Sequence, residues 1–204
     1  MPEIYQILEG LTDYGPCPVC GINKRDPSGD LRVILGDGRA SIWPDLIACG
    51  DYPCFVASVR FVDAMRESGI RIEKGGRVDF VEPIENGLSL DNSPGYYWLD
   101  GRRGHQAGKM DYDASGYVAV RFCGVCENRT DDIILTGRRR RSDPPPPTVF
   151  EIDEKSGHDL FTTDLSPCAF FCTESVLETV RKYKLTNIAF YPCEEGEKAR
   201  RIAY

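Results

Sequence analysis

Histidine is almost missing from this 204-residue chain, with His105 and His158 its two examples. A Cys-His or Ser-His-Asp constellation therefore has few members to draw on. Also missing is any apolar run near the roughly 18 residues that cross a bilayer. The N-terminal MPEIYQILEGLTDYGP has neither a basic flank nor a long apolar segment, so a cytoplasmic protein without membrane contact is expected. Basic charge is in deficit too: 25 Lys and Arg stand against 32 Asp and Glu, a formal net charge of −7. Such a chain repels nucleic acid and anionic lipid and steers a basic partner toward itself, although the same excess also serves plain solubility.

What the chain has in quantity is cysteine, nine residues of it. Without an export signal these read as thiols, some of them metal ligands, and the odd count agrees. With 41% apolar residues over this length, the chain can close a core without a metal staple, so metal is an addition to stability and not a rescue.

Compared with itself, the sequence repeats. CPVCG at Cys17, Asp45-Leu46, Pro53-Cys54 and FVASVRFVDAMRESGI are followed by CGVC at Cys123, Asp159-Leu160, Pro167-Cys168 and FFCTESVLETVRKYKL. The Asp-Leu and Pro-Cys landmarks share one offset of 114 residues (45 to 159, 53 to 167), and the helix-like segments follow at 115. The expected architecture is α+β, an internally duplicated two-lobed unit: one domain over 1–204, with copy one at about 15–83, connecting strands over 84–116 and copy two at about 117–192. Each copy would hold a CxxC knuckle, strands, an amphipathic helix and a closing strand. Copy two carries an insertion over 138–147, RRRRSDPPPP, whose like charges and prolines suit an exposed loop.

The helices have legible limits. Ser58 precedes Val59, Phe61, Val62 and Met65, and Gly69 stands where a left-handed residue ends a helix. Thr173 precedes Val176, Leu177, Val180 and Tyr183, which share one face. Strands are expected at 31–35, 78–83, 96–99, 117–122, 133–135, 149–152 and 187–192.

Two CxxC hairpins supply four sulfurs in the tetrahedron that zinc prefers, since each hairpin sets both sulfurs on one side of a tight turn. Cys17, Cys20, Cys123 and Cys126 are thus the expected ligands of one structural zinc ion. Gly21 is placed to take the positive φ that turns backbone N–H groups toward sulfur, whereas Glu127 stands at the corresponding position of the second hairpin. The 102 residues between Cys20 and Cys123 exceed the spacing of an ordinary zinc ribbon, but a twofold-related duplication would bring the equivalent turns together. Two separate sites completed by other cysteines, or no metal, remain open on these residues alone.

A thioredoxin-like reading wants the first cysteine at a helix N-terminus, and Pro16, Pro18 and Gly21 favour a turn instead. Cys49, Cys54, Cys168, Cys172 and Cys193 read as small buried side chains. His105 lies in DGRRGHQAG, whose glycines do not follow a phosphate-loop pattern, and Asp111 and Asp113 read as loop carboxylates. No catalytic set assembles, and no enzyme is expected.

The layout of CPVCG, IWPDLI from Ile42, the SVRFVDAMRESGI helix, a second CxxC and a C-terminal repetition resembles the myxobacterial double-CxxCG family over roughly residues 15–192. Cys123–Cys126 lacks the glycine that follows the second cysteine in the full pattern. The resemblance implies an immunity protein that binds and neutralises a cognate secreted bacterial toxin, with Cys17, Cys20, Cys123 and Cys126 structural. The acidic residues Glu151, Asp153, Glu154, Asp159 and Asp164 are the candidate partner-binding stretch. Rival readings are a zinc-ribbon adaptor that binds nucleic acid or transcription machinery, motivated by Arg138–Arg141, and a thiol oxidoreductase or zinc hydrolase.

Overall fold

The structure, a computed structural model, describes residues 4–36, 41–49, 55–83, 87–100, 108–115, 117–118, 123–126, 134–135, 149–152, 159–161, 170–190, 193 and 202–203. It is a mixed α+β chain. Strands β1 (Ile4–Pro16), β2 (Asn23–Leu35), β3 (Leu46–Ala48) and β4 (Phe55–Ser58) lead into helix α1 (Val59–Glu67). Strands β5 (Lys74–Pro83) and β6 (Tyr96–Leu99) follow, and these six form one sheet in the order β1-β2-β5-β6-β4-β3. Among the described residues only the β2–β5 pair is parallel, because a crossover through β3, β4 and α1 separates the two strands.

The later residues contribute short antiparallel pairs. Strand β7 (Gly108–Met110) pairs with β10 (Phe150–Ile152), and β8 (Tyr117–Val118) with β9 (Ile134–Leu135). Strand β11 (Leu160–Phe161) pairs with β12 (Phe171–Cys172), which feeds helix α2 (Glu174–Tyr183), and β13 (Ala189–Phe190) pairs with β14 (Ile202–Ala203).

Strand β1 departs from expectation, since the sequence of 4–16 shows no strand signal. Its pairing with β2 slips register four times, so the side chains lose the two-residue alternation that a sequence pattern needs. Strand β2 likewise starts eight residues before the expected 31–35 segment, and its extra residues, including Pro27, pair only with β1. Of the expected strands, 96–99 is β6, and the Val78 run is the end of β5. Residues 119–122 and the insertion over 138–147 lie outside the described residues.

Two apolar clusters follow from this layout. One fills the sheet with Leu31, Val33, Leu35, Ile47, Val56, Tyr96 and Trp98. The other packs α1 against α2: Phe61 and Met65 meet Val176, Val180, Leu185 and Ile188 over Ala57 and Leu99. Burial of each such large side chain contributes about 1.5–3 kcal/mol, so the helices of the two halves are held by a common core and not by separate ones.

The two helices make matching contacts at their starts and ends. The backbone N–H of Ser58 donates to the Asp45 carbonyl (2.9 Å), and its Oγ donates to Asp45 Oδ1 (2.9 Å). The backbone N–H of Thr173 donates to the Asp159 carbonyl (3.0 Å), and its Oγ1 to Asp159 Oδ1 (2.7 Å). At the far ends, Gly69 (φ 75°) and Lys184 (φ 51°) each take the left-handed conformation. The next residues close the same bond: Ile70 N–H to Met65 carbonyl at 2.9 Å, and Leu185 N–H to Val180 carbonyl at 3.0 Å.

Candidate metal centre

The turn that joins β1 to β2 is Cys17-Pro18-Val19-Cys20-Gly21-Ile22. The Cys17 N–H donates to the Ile22 carbonyl at 3.0 Å, and the Gly21 N–H to the Cys17 carbonyl at 2.8 Å, which tightens the chain into a knuckle. Gly21 has φ 72°, a left-handed value that a β-carbon would disfavour, in line with its position in the motif. With the chain so bent, the N–H groups of Cys20 and then Val19 point at the Cys17 sulfur. They stabilise its thiolate and bring its pKa from 9.0 to about 6, against the opposing effect of burial.

The second knuckle, over Cys123–Cys126, repeats this chemistry. The N–H groups of Cys126 and then Val125 lower the pKa of Cys123. Cys123 is buried, at 4% exposure, while Cys126 and Cys20 are half-buried and the turn residues Val125 and Val19 are exposed. The structure brings all four sulfurs together. Cys17 Sγ lies 3.8 Å from Cys123 Sγ, Cys20 Sγ lies 3.5 Å from Cys126 Sγ, and all four are within 4.8 Å of one another. A zinc ion with Zn–S bonds of about 2.3 Å needs tetrahedral edges of about 3.8 Å. The residues thus fit a tetrathiolate metal site with adjustments of about an ångström at most, and no disulfide uses up their sulfurs. Four thiolates around a divalent ion leave no open position for water or substrate, so such a site is a clip.

Among the described residues, the other cysteines stand apart from this group of four. Cys49 is buried at 2% exposure in the sheet core. Burial, followed by the nearby charges of Cys193, Glu174 and Asp159, pushes the Cys172 thiol up to about 12, so it stays protonated and unreactive at neutral pH. Cys54, Cys168, His105 and His158 lie outside the described residues. Asp111 is bound into its own turn, where its carboxylate accepts from the Ala114 N–H at 2.9 Å.

Of the acidic stretch expected to meet a partner, two residues are described. Asp159 is half-buried and turned onto Thr173, and Glu151 sits in β10, while Asp153, Glu154 and Asp164 lie outside the described residues. A residue that sequence reasoning used only as a landmark gathers four polar contacts on its carboxylate. Asp45, 4% exposed, accepts from Ser58 Oγ, from Arg60 Nη1 at 2.8 Å, and from the Thr186 N–H and Oγ1 at 2.8 and 3.1 Å. Its recurrence as Asp-Leu ahead of each helix was the available signal. Compared with protein-family models, the chain matches none; compared with the curated proteins, it likewise matches none.

Proposed function

We propose that this chain is an immunity protein: an internally duplicated, zinc-clipped binder that neutralises a cognate secreted bacterial toxin in the cytoplasm. The observation that carries the metal part is the meeting of Cys17, Cys20, Cys123 and Cys126 within 4.8 Å, across more than a hundred residues of chain. Duplication is supported by the matched Asp45–Ser58 and Asp159–Thr173 contacts and by the matched helix ends. Support for the binding role comes from the double-CxxCG resemblance, from a coordinatively closed site, and from the net charge of −7, which complements the basic clefts of toxins that act on nucleic acid. A clipped, preorganised surface also loses less entropy when a partner docks.

Two measurements test this. Elemental analysis of protein purified under reducing conditions should give one zinc per chain, falling to none when Cys17 and Cys123 are both replaced by serine. Co-expression with the toxin encoded beside this gene should restore growth and yield a stable complex. Absence of both rescue and complex would sink the immunity reading and leave the metal site standing.

A further inference from the structure

Two of the sulfur contacts run across the knuckles, Cys17 to Cys123 at 3.8 Å and Cys20 to Cys126 at 3.5 Å. These two contacts are the basis for what oxidation does to the centre. We propose that hydroperoxide converts this centre into two disulfides between the halves, Cys17–Cys123 and Cys20–Cys126, with release of the metal ion. The inference rests on the metal-site reading above.

Order follows from exposure. Cys20 and Cys126 are half-buried, whereas Cys17 and Cys123 are buried, so peroxide reaches the 3.5 Å pair first. One thiolate of that pair attacks a peroxide oxygen, the O–O bond breaks, and a sulfenic acid and one water form after protonation. The sulfur 3.5 Å away then attacks the sulfenic sulfur, and the hydroxide that leaves takes up a proton as the second water. Two thiolates, one peroxide and two protons thus give one disulfide and two waters. An ion that has lost two of its four ligands is released, and the 3.8 Å pair repeats the step with a second peroxide.

The consequence is that loss of the metal does not release the two halves. Each bond joins residues 106 apart in sequence, so the oxidised chain has covalent links where the metal clip had been. A bond within one knuckle, Cys17–Cys20 or Cys123–Cys126, would instead leave the two knuckles without a covalent link to each other.

The test is titration of the zinc-loaded protein with hydrogen peroxide, with released zinc followed by a chromogenic chelator and disulfides mapped by non-reducing peptide mass spectrometry. The expected result is one zinc released per chain, the loss of four thiols, and peptides joined as Cys17–Cys123 and Cys20–Cys126. Dithiothreitol with added zinc should reverse both changes. A Cys17→Ser/Cys123→Ser variant should still form Cys20–Cys126, and a Cys17→Ser/Cys126→Ser variant should cross-link severalfold more slowly. Bonds confined to single knuckles, or sulfinic and sulfonic acids in place of disulfides, would overturn the proposal while leaving the zinc reading intact. If the purified protein holds no zinc, the metal reading fails, and the disulfide map of the same reduced protein still decides the pairing.

Discussion

Asp45 and Asp159 occupy the same place in two similar units, each anchoring the residue that begins a helix, yet they have different work. Asp159 accepts from Thr173 alone among the described residues. Asp45 accepts from Ser58, from Arg60 and twice from Thr186, a residue beyond the second helix. Asn187 adds a bond from its side-chain amide to the Leu46 carbonyl. A local helix-start device in the second half is, in the first, also a bolt between halves. Its burial has an electrostatic echo: with its hydroxyl on the Pro44 carbonyl, Tyr96 has its pKa raised first by burial and then by the Asp45 charge.

The contrast can be broken in several ways, beginning with the proposed zinc clip. Chelation of zinc should lower the melting temperature by about 10 °C or more, since structural zinc contributes many kcal/mol and a chain of this size loses about 2–4 °C per kcal/mol. Calorimetry with and without a strong chelator checks this, and an unchanged transition would deny the clip its role. Thiolate titration sharpens the same point. Cys17 ionises near 6 when folded against 9.0 for an unperturbed thiol, so its folded pKa is depressed. Its contribution to the metal-free fold is complete above about pH 9 and is lost as pH falls through about 6. Ultraviolet thiolate absorbance of reduced, metal-free protein should therefore show a step near pH 6 that vanishes in Cys17→Ser.

Next in size is Asp45→Ala, which leaves Thr186 and Ser58 short of an acceptor. We expect a loss of about 3 kcal/mol, at the lower end for broken buried pairs because Arg60 is half in water. Asp159→Ala should lose about 1 kcal/mol, the worth of one ordinary hydrogen bond. Equal losses in urea unfolding would erase the distinction between bolt and local anchor.

Ser58 and Thr173 offer a finer comparison. The Ser58 oxygen accepts from the Phe61 N–H at 3.0 Å while donating to Asp45, whereas the Thr173 side chain makes no capping bond. Ser58→Ala should lose about 2 kcal/mol and Thr173→Ala about 1, because a cap adds to a hydrogen bond in the first case alone. The smallest effect lies at the helix ends. Gly69 meets the left-handed geometry without strain, but Lys184 holds a β-carbon there. Lys184→Gly should stabilise by about 0.5–1 kcal/mol, the relief of left-handed strain less the added chain entropy of glycine. A fall in stability would show that the lysine side chain has a compensating contact.

Much of the site was legible because it is written in short range. A CxxC turn fixes two sulfurs within four residues, and Gly21 marks the bend by residue type alone. Helix limits were legible for the same reason: Ser58 and Gly69 act on backbone groups within one turn of themselves. Strand β1 was not legible, because four register slips dissolve its alternation and its partner supplies the hydrogen bonds. The bond from Thr173 to Asp159 was not legible, because it rests on where β12 leads that threonine.

Sequence alone determined the local devices: two sulfur turns and two amphipathic helices, one of them capped by Ser58. Their conformational preferences come from bonds made within a few residues, so neighbouring side chains suffice to specify them. Tertiary structure decided what those devices are attached to. The choice of Asp45 over Asp159 as the bolt and the pairing of Cys17 with Cys123 and Cys20 with Cys126 depend on contacts spanning 106 to 141 residues. Packing of the whole chain fixes such contacts, and no local pattern encodes them.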